Sequence, residues 1–487
     1  MKKIIIIGAG LGGLTAANIL VQKGHAVTLF ESHSAPGGYT AGFWRKGFYF
    51  ESGTLAFEES GLVFSTMKKI GALEKINFVR HEPFRFLSDE MDGVPETYRD
   101  YKKLYYENFP AEKHQLDRFF SALDPLYAAF ASLGRPGLLS KAAGVFRLLL
   151  LKLKYGDMTV REFTEKFFPG DTVLFRSFND LGYPDMPAMI LGGALHTLFV
   201  DYWTVQEGMQ SWADVLAEKF TQSGGELKLK HHVDRILVKD GQAYGVRCGG
   251  TEYAADYVIA ACDYKKTFLT LLDRDVVPGE LRQKVEAAAV SEGFFHVYLG
   301  LDIPREKLRY YMKSSHVSVL NTHQSSDIYD TEDEDYFNKC SFGLYAPSLL
   351  HAENAPEGKS SVMLYSMIPC RWQNNWGGGD TDTYRRLKEK AAQSLIERAH
   401  KVIPALSDRI DFCDAATPLT FERYTHNTDG ATSAWSWNPN KRFYKNMLGT
   451  HVKTPVKNLY IASCWAMQIG GIPGALFAAR KAASMVR

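Results

Sequence analysis

The stretch KIIIIGAGLGGLTAANILVQKGHAVTLFE, Lys3–Glu31, decides the fold. Lys3–Ile7 is an unbroken β-branched run, the pattern of a parallel strand covered on both faces. Gly8, Gly10 and Gly13 then spell G-x-G-x-x-G, with Leu11 and Gly12 inside the loop. Leu14–Lys23 has helical spacing and stops at Gly24, and Ala26–Phe30 is a second strand. Each glycine has a task. Gly8 permits a tight turn, Gly10 lets main chain approach a diphosphate, and Gly13 lets helix and strand pack closely. The helix N-terminus then faces the phosphates. Glu31, 18 residues past Gly13, stands where an acid accepts hydrogen bonds from a ribose diol, with Ser32 beside it. The spacing predicts a dinucleotide site in an α/β fold.

A second glycine pair, Gly37–Gly38, follows Glu31 by six residues. An NAD site has no use for it. In this respect the chain is similar to flavin enzymes of the glutathione-reductase type, where such a pair runs under the FAD diphosphate. KGFYFESGTLAF, Lys46–Phe57, follows at the distance where those enzymes return a strand beside the flavin, bringing Gly53 and Thr54 near the ring. No second G-x-G-x-x-G follows a strand, since WGGGD, Trp376–Asp380, reads as a loop, so no separate NAD(P)H domain is expected. At the other end, NLYIASCWAMQIGGIPGALFAARKAASMV, Asn458–Val486, reads as strand, loop and helix. Pro473 suits the first turn of that helix. The amides of Gly471 and Ile472 then point at the flavin N1–C2=O edge, where a helix N-terminus favours negative charge by about 0.3–1 kcal/mol.

With both ends in view, the chain resembles the phytoene-desaturase superfamily of carotenoid desaturases, carotenoid isomerases and retinol-saturase-like proteins, and more distantly the flavin amine oxidases. The resemblance spans most of the length. It rests on the N-terminal motifs, on EGMQSWADVLAEKF (Glu207–Phe220), AADYVIAACD (Ala254–Asp263), YAPSLLHAENAPEGKSSVMLYSMIP (Tyr345–Pro369) and TPLTFERYT (Thr417–Thr425), and on their order. It implies an FAD-dependent oxidoreductase acting on a polyene, isoprenoid or long acyl lipid, by desaturation, cis–trans isomerisation or saturation with hydride exchange at flavin N5. Carried over by position, Val233 holds adenine through its backbone and Ala261 passes the same site. Three positions depart from the pattern: Tyr39 stands where many relatives carry Arg, Ser463–Cys464 where many carry Gly-Asp, and Glu207-Gly208-Met209 replaces G-G-M. Tyr39 favours the isomerase and saturase relatives. Two other readings compete: an amine-oxidase-type enzyme on a polar amine, and a non-catalytic lipid-binding escort on the same scaffold.

The resemblance also implies interleaved domains. A Rossmann-type FAD domain takes 1–85, 203–290 and 415–487, and an α+β substrate domain takes 86–202 and 291–414. Helices are expected at Ala111–Gly134, Leu138–Tyr155 and Tyr384–Lys401, with another starting at the Thr159/Glu162 capping box. Strands are expected at Gly293–Leu301 and Ser361–Met367. Phe57, Trp203, Trp435, Trp437 and Trp465 are candidates to line a dry cavity, and His196 and Asp201 to shuttle a proton. No Ser-His-Asp set or metal cluster stands out.

Bulk properties agree with this frame. The chain has 487 residues, room for two or three domains. A net charge of +2 gives no electrostatic case for nucleic acid. Six cysteines, Cys248, Cys262, Cys340, Cys370, Cys413 and Cys464, include no C-x-x-C and point to a reducing, cytoplasmic compartment. The charges of SKAAGVFRLLLLKLKYG, Ser140–Gly156, are all basic (Lys141, Arg147, Lys152, Lys154) and the residues between them bulky and apolar. A helix of that kind lies in a membrane interface or serves as a lid.

Overall fold

The computed structural model describes every residue except 135–136, 180, 184, 322–326, 369–370 and 448. Cys370 and Pro369 therefore lie outside the described residues.

The isoleucine run forms the centre of a five-stranded parallel sheet, ordered Leu459–Ile461, Tyr257–Ala260, Lys3–Ile7, Ala26–Phe30 and Glu226–Lys228. Ile4–Ile7 are each no more than 7% exposed, because strands flank them and both the helix Leu11–Gln22 and the three-stranded antiparallel sheet of Val233–Lys239, Gln242–Cys248 and Thr251–Ala254 pack against the parallel sheet. Each such side chain contributes about 1.5–3 kcal/mol when fully buried. The first helix spans Leu11–Gln22, one turn earlier than its apolar spacing indicates, because Gly12 and Gly13 are already helical. Both are jammed against main chain. A Cβ on Gly12 would stand 2.1 Å from the Ala462 carbonyl oxygen, and one on Gly13 1.9 Å from that of Gly8. Asn18 locks this helix to the helix Met209–Gln222 by donating to the Leu216 carbonyl at 2.9 Å.

A seven-stranded sheet builds the second layer, ordered Ile410–Ala416, Gly293–Leu301, Ser360–Ile368, Phe342–Tyr345, His316–Val319, Arg85–Leu87 and Asp92–Gly93. It is antiparallel except where Arg85–Leu87 runs parallel to His316–Val319. Helix Thr381–Ala399, capped by the Asp380 carboxylate on the Thr383 amide, buries Leu387, Ala391 and Leu395 in its core. Helices between Tyr98 and Val200 pack on one another around Tyr101, Tyr105, Phe119 and Phe178. The capping box at Thr159 and Glu162 starts Val160–Glu165. The hairpin Gly42–Arg45/Phe48–Glu51 joins the two sheets, with Phe48 and Phe50 packed on Tyr298, Tyr345 and Met363.

Helix Leu138–Tyr155 is apolar on both sides. Gly144, Leu148, Leu151 and Tyr155 face the neighbouring helices. Val145, Phe146, Leu149, Leu150 and Leu153 face outward, Leu153 84% exposed, among exposed Arg147, Lys152 and Lys154. Among the described residues no helix is long and apolar enough to cross a membrane.

Candidate FAD site

A cleft of about 1100 Å³ runs along the carboxyl ends of the parallel strands and under the second sheet. At one end lie Glu31, Ser32, His33, His232, Val233 and His426; at the other, Glu58, Gly471, Ile472 and Trp465. Between them it passes Gly8, Gly10, Leu11, Gly12, Gly37, Gly38 and Tyr39. This is the crevice at strand ends where open α/β sheets bind ligands.

Glu31 is aimed by its own main chain. Its Oε2 accepts from the Ala9 amide at 2.7 Å and its Oε1 from the His33 amide at 2.8 Å, with Ser32 Oγ at 3.2 Å. Gly10 and Gly37 face each other in a parallel bridge. The nearest atom to a Cβ on Gly10 would be the Gly37 carbonyl oxygen at 3.9 Å. The loop is thus a cradle of main chain with a gap one side chain would fill. Among the described residues no side chain caps the helix at Gly10, so its first amides can receive an anion. The residues fit a dinucleotide: ribose at Glu31, diphosphate over Gly10–Gly12 and Gly37–Gly38, a ring system toward Gly471.

Helix Gly471–Met485 supplies the far end, and Gly470 and Gly471 adopt φ of 64° and 69° to turn its N-terminus into the cleft. Pro473 is its third residue. Tyr39 sits in the wall, stacked on Phe421 at 5.8 Å, its hydroxyl donating to the Gly430 carbonyl at 2.8 Å. The position brings an aromatic surface where an arginine would bring charge, which leaves the anion to main-chain amides. Ser463 Oγ donates to the Cys262 carbonyl at 2.9 Å, tying the last strand's loop to the segment after Tyr257–Ala260. Burial pushes the Cys464 thiol up to about 12 and the Cys262 thiol up to about 11, so both stay protonated and inert at neutral pH.

The structure brings most of the expected residues to the cleft, but not all. Gly13 and Gly53 lie behind its surface, Gly53 under the Tyr39 ring, while Thr54, Val233, Ala261, Ser463 and Cys464 line it. Of the five aromatic candidates only Trp465 lines it. Phe57 packs on Trp212 and Phe78, and Trp435 stacks on Phe443 at 4.0 Å, so both are core. Trp203 packs on Phe64, and Trp437 stacks behind the cleft residue Tyr183. His196 and Asp201 do not line the cleft either. Asp201 is occupied by the Ser60 amide and the Trp203 indole N–H. Sequence reading passed over His33, His232, His426 and Tyr424 at the adenine end and Glu58 at the ring end. The local signal for the first group was the His231–His232 pair beside Val233. Glu58 had none.

Comparisons with known proteins place this geometry. Over 454 residues the chain is 26% identical to prolycopene isomerase from Daucus carota, covering 88% of this chain and 71% of that one. It is 27% identical to the neurosporene-forming phytoene desaturase of Rhodobacter capsulatus (87% and 83% covered) and 24% identical to the all-trans-retinol 13,14-reductase of Danio rerio (99% and 85%). Among solved structures, cyclohexylamine oxidase from Brevibacterium oxydans superposes with a TM-score of 0.64 at 13% identity, covering 99% of this chain and 98% of that one. The fold is the Rossmann-type, glutathione-reductase-like arrangement, and the cofactor is FAD. The profile of flavin containing amine oxidoreductases matches residues 11–487, so the chain belongs to that family and is a flavin enzyme related to carotenoid desaturases, carotenoid isomerases and retinol reductase.

Proposed function

We propose that the protein acts on a carbon–carbon double bond of a polyene, isoprenoid or long acyl chain, by desaturation, isomerisation or saturation. The observation that carries this reading is the aromatic lining of the cleft. Tyr39, Phe43, Tyr183, Tyr298, Phe421 and Trp465 present aromatic surface to the cleft from both layers. Such a wall excludes water and offers π-faces to a delocalised cation. FAD, when bound, supplies two-electron hydride exchange at N5. The chain's part is to hold the diphosphate on amides, the ribose on Glu31 and the substrate against the ring. Anaerobic incubation with a carotenoid and lipid extract tests the reading, following the flavin spectrum and product mass. A loss of two mass units marks desaturation, no change isomerisation, and a gain of two saturation.

A second reading, an enzyme on a polar amine, draws on Glu58, Glu59 and Asp201 gathered at the ring end. Bleaching of the flavin by amines and by no polyene selects it.

The proposal includes a membrane contact. Helix Leu138–Tyr155 holds its outward apolar row among basic residues only, which complements an anionic lipid surface. Each apolar side chain removed from water contributes about 1.5–3 kcal/mol. The triple substitution Phe146→Ser, Leu149→Ser, Leu153→Ser is expected to lower co-sedimentation with anionic phosphatidylglycerol vesicles by about tenfold or more. FAD content is expected to stay unchanged. Equal sedimentation of variant and wild type removes the contact.

A further inference from the structure

Glu58 lines the ring end of the cleft, and among the described residues no cation acts on its carboxyl group. Its main-chain neighbours fix it. The Phe57 amide donates to the Trp203 carbonyl at 2.7 Å, and the Trp203 amide returns the bond to Phe57 at 2.9 Å. The Ser60 amide donates to Asp201 Oδ2 at 3.1 Å. The segment is thus clamped on both sides of Glu58, and the side chain is directed at the start of helix Gly471–Met485. Its Oε1 lies 3.3 Å from where a Cβ on Gly471 would be. Gly471 and Ile472 line the same stretch of cleft.

We propose that Glu58 is the proton-holding residue of this site, giving a proton to, or taking one from, the substrate carbon next to the one that exchanges hydride. The proposal rests on the double-bond reading of the function. In saturation, the carboxyl O–H bond breaks and its proton forms a new C–H bond at one alkene carbon. The other carbon would take a hydride, with its electron pair, from the reduced flavin that this cleft would hold. The π bond is consumed, and water reprotonates the carboxylate. Desaturation runs the same bookkeeping backwards. In isomerisation the proton goes on and comes off the same carbon, and no net electrons move.

The surroundings keep the proton in place at neutral pH. The titratable groups acting on Glu58 are Glu59 on its own segment and Asp201 and Tyr202 on the facing one, and none is cationic. Burial first, then Glu59 and Asp201, push its carboxyl up to about 7. A hydrogen bond from its own main-chain amide pulls the other way without cancelling the rise, so the group titrates above an ordinary glutamate. A general acid or base works best near the operating pH, which is where this places it.

The test uses wild type, Glu58→Gln and Glu58→Asp, each checked for FAD content. Infrared difference spectra of the apo-protein are expected to show a protonated-carboxyl band that fades as pH rises through about 7 and is missing in Glu58→Gln. With a polyene that the wild type converts, Glu58→Gln is expected to lose about 10²-fold or more in kcat with KM little changed. The limb of the pH profile near 7 disappears with it, and Glu58→Asp restores part of the rate. An unchanged kcat and pH limb in Glu58→Gln overturns the proposal, as does a wild-type-minus-variant difference spectrum with no band fading through about 7, the Glu51 band being common to both proteins. A raised KM for an amine with kcat kept overturns it in favour of amine recognition. If the wild type converts no polyene, the double-bond reading fails and the substrate-side role fails with it. The infrared titration then still decides, separately, whether Glu58 holds a proton.

Discussion

Replacing Gly10 by alanine is expected to give a folded but colourless protein. Gly10 precedes the first helix with φ −71° and ψ 176°, a conformation open to any residue. Its new Cβ meets nothing closer than the Gly37 carbonyl oxygen at 3.9 Å, an ordinary contact. The methyl group therefore costs the empty protein little, yet it stands in the gap proposed for the diphosphate. Affinity for FAD is expected to fall about 100-fold, or about 2.7 kcal/mol. Gly13→Ala behaves differently. Its Cβ would lie 1.9 Å from the Gly8 oxygen and 3.2 Å from the Ala261 Cβ, against main chain that cannot rotate away. Overpacking of this kind costs about 1–3 kcal/mol or more, and here the first strand must shift to relieve it. Thermal unfolding with and without added FAD separates the two. Wild type gains stability with ligand by mass action. Gly10→Ala melts like the empty wild type and gains almost nothing, whereas Gly13→Ala melts lower even without ligand. Normal FAD affinity in Gly10→Ala means that the diphosphate does not cross this gap.

The contrast shows which information is local. The strand Lys3–Ile7, the glycine loop and Glu31 were legible because one short βαβ unit carries the apolar periodicity, the turn and the acid together. The strand Gly293–Leu301 and the helix Leu138–Tyr155 were legible for the same reason, at the same bounds. The pairing of Arg85–Leu87 with His316–Val319 was not, because the two lie more than 200 residues apart and neither alone fixes its neighbour. The aromatic lining was misjudged for a related cause. Phe57 and Trp435 lie in irregular segments, where no period of 2 or 3.6 says which way a side chain points, and packing turned both into core. Glu58 reads in sequence as one of two adjacent surface acids. Only the arrival of Gly471, more than 400 residues later, makes it part of a cleft.

Glu51 gives the largest effect on stability, and its sign follows from burial. It is 0% exposed, and burial pushes its carboxyl up to about 8 against the hydrogen bonds it makes. The Met209 amide donates to its Oε1 at 3.0 Å, and its Oε2 pairs with the Tyr49 hydroxyl at 2.9 Å. It thereby joins the hairpin to the first turn of helix Met209–Gln222. Glu51→Leu strands two buried polar groups, each costing about 1–3 kcal/mol, so a loss of about 2–6 kcal/mol is expected. Glu51→Gln keeps both partners, since its amide oxygen accepts from Met209 and its NH₂ donates to Tyr49. The glutamine differs in having no proton to lose. Between the unfolded value of about 4.5 and the folded value of about 8, folded wild type holds one more proton than the unfolded chain, so stability falls as pH rises. Glu58 acts in the same direction and is half titrated at about 7. The buried His81 and His296, lowered to about 4 and about 3, act oppositely, adding stability as pH rises toward 6.5, and are silent above it. Across pH 7 to 8 the histidines are silent and Glu58 releases only its last half proton, so Glu51 is the larger contributor, and the difference between wild type and Glu51→Gln removes Glu58 from the comparison. Urea unfolding is expected to show wild type losing about 1 kcal/mol more than Glu51→Gln across that interval. Parallel curves for the two proteins would mean that Glu51 is already ionised when buried, and that the hairpin and helix are joined by a carboxylate.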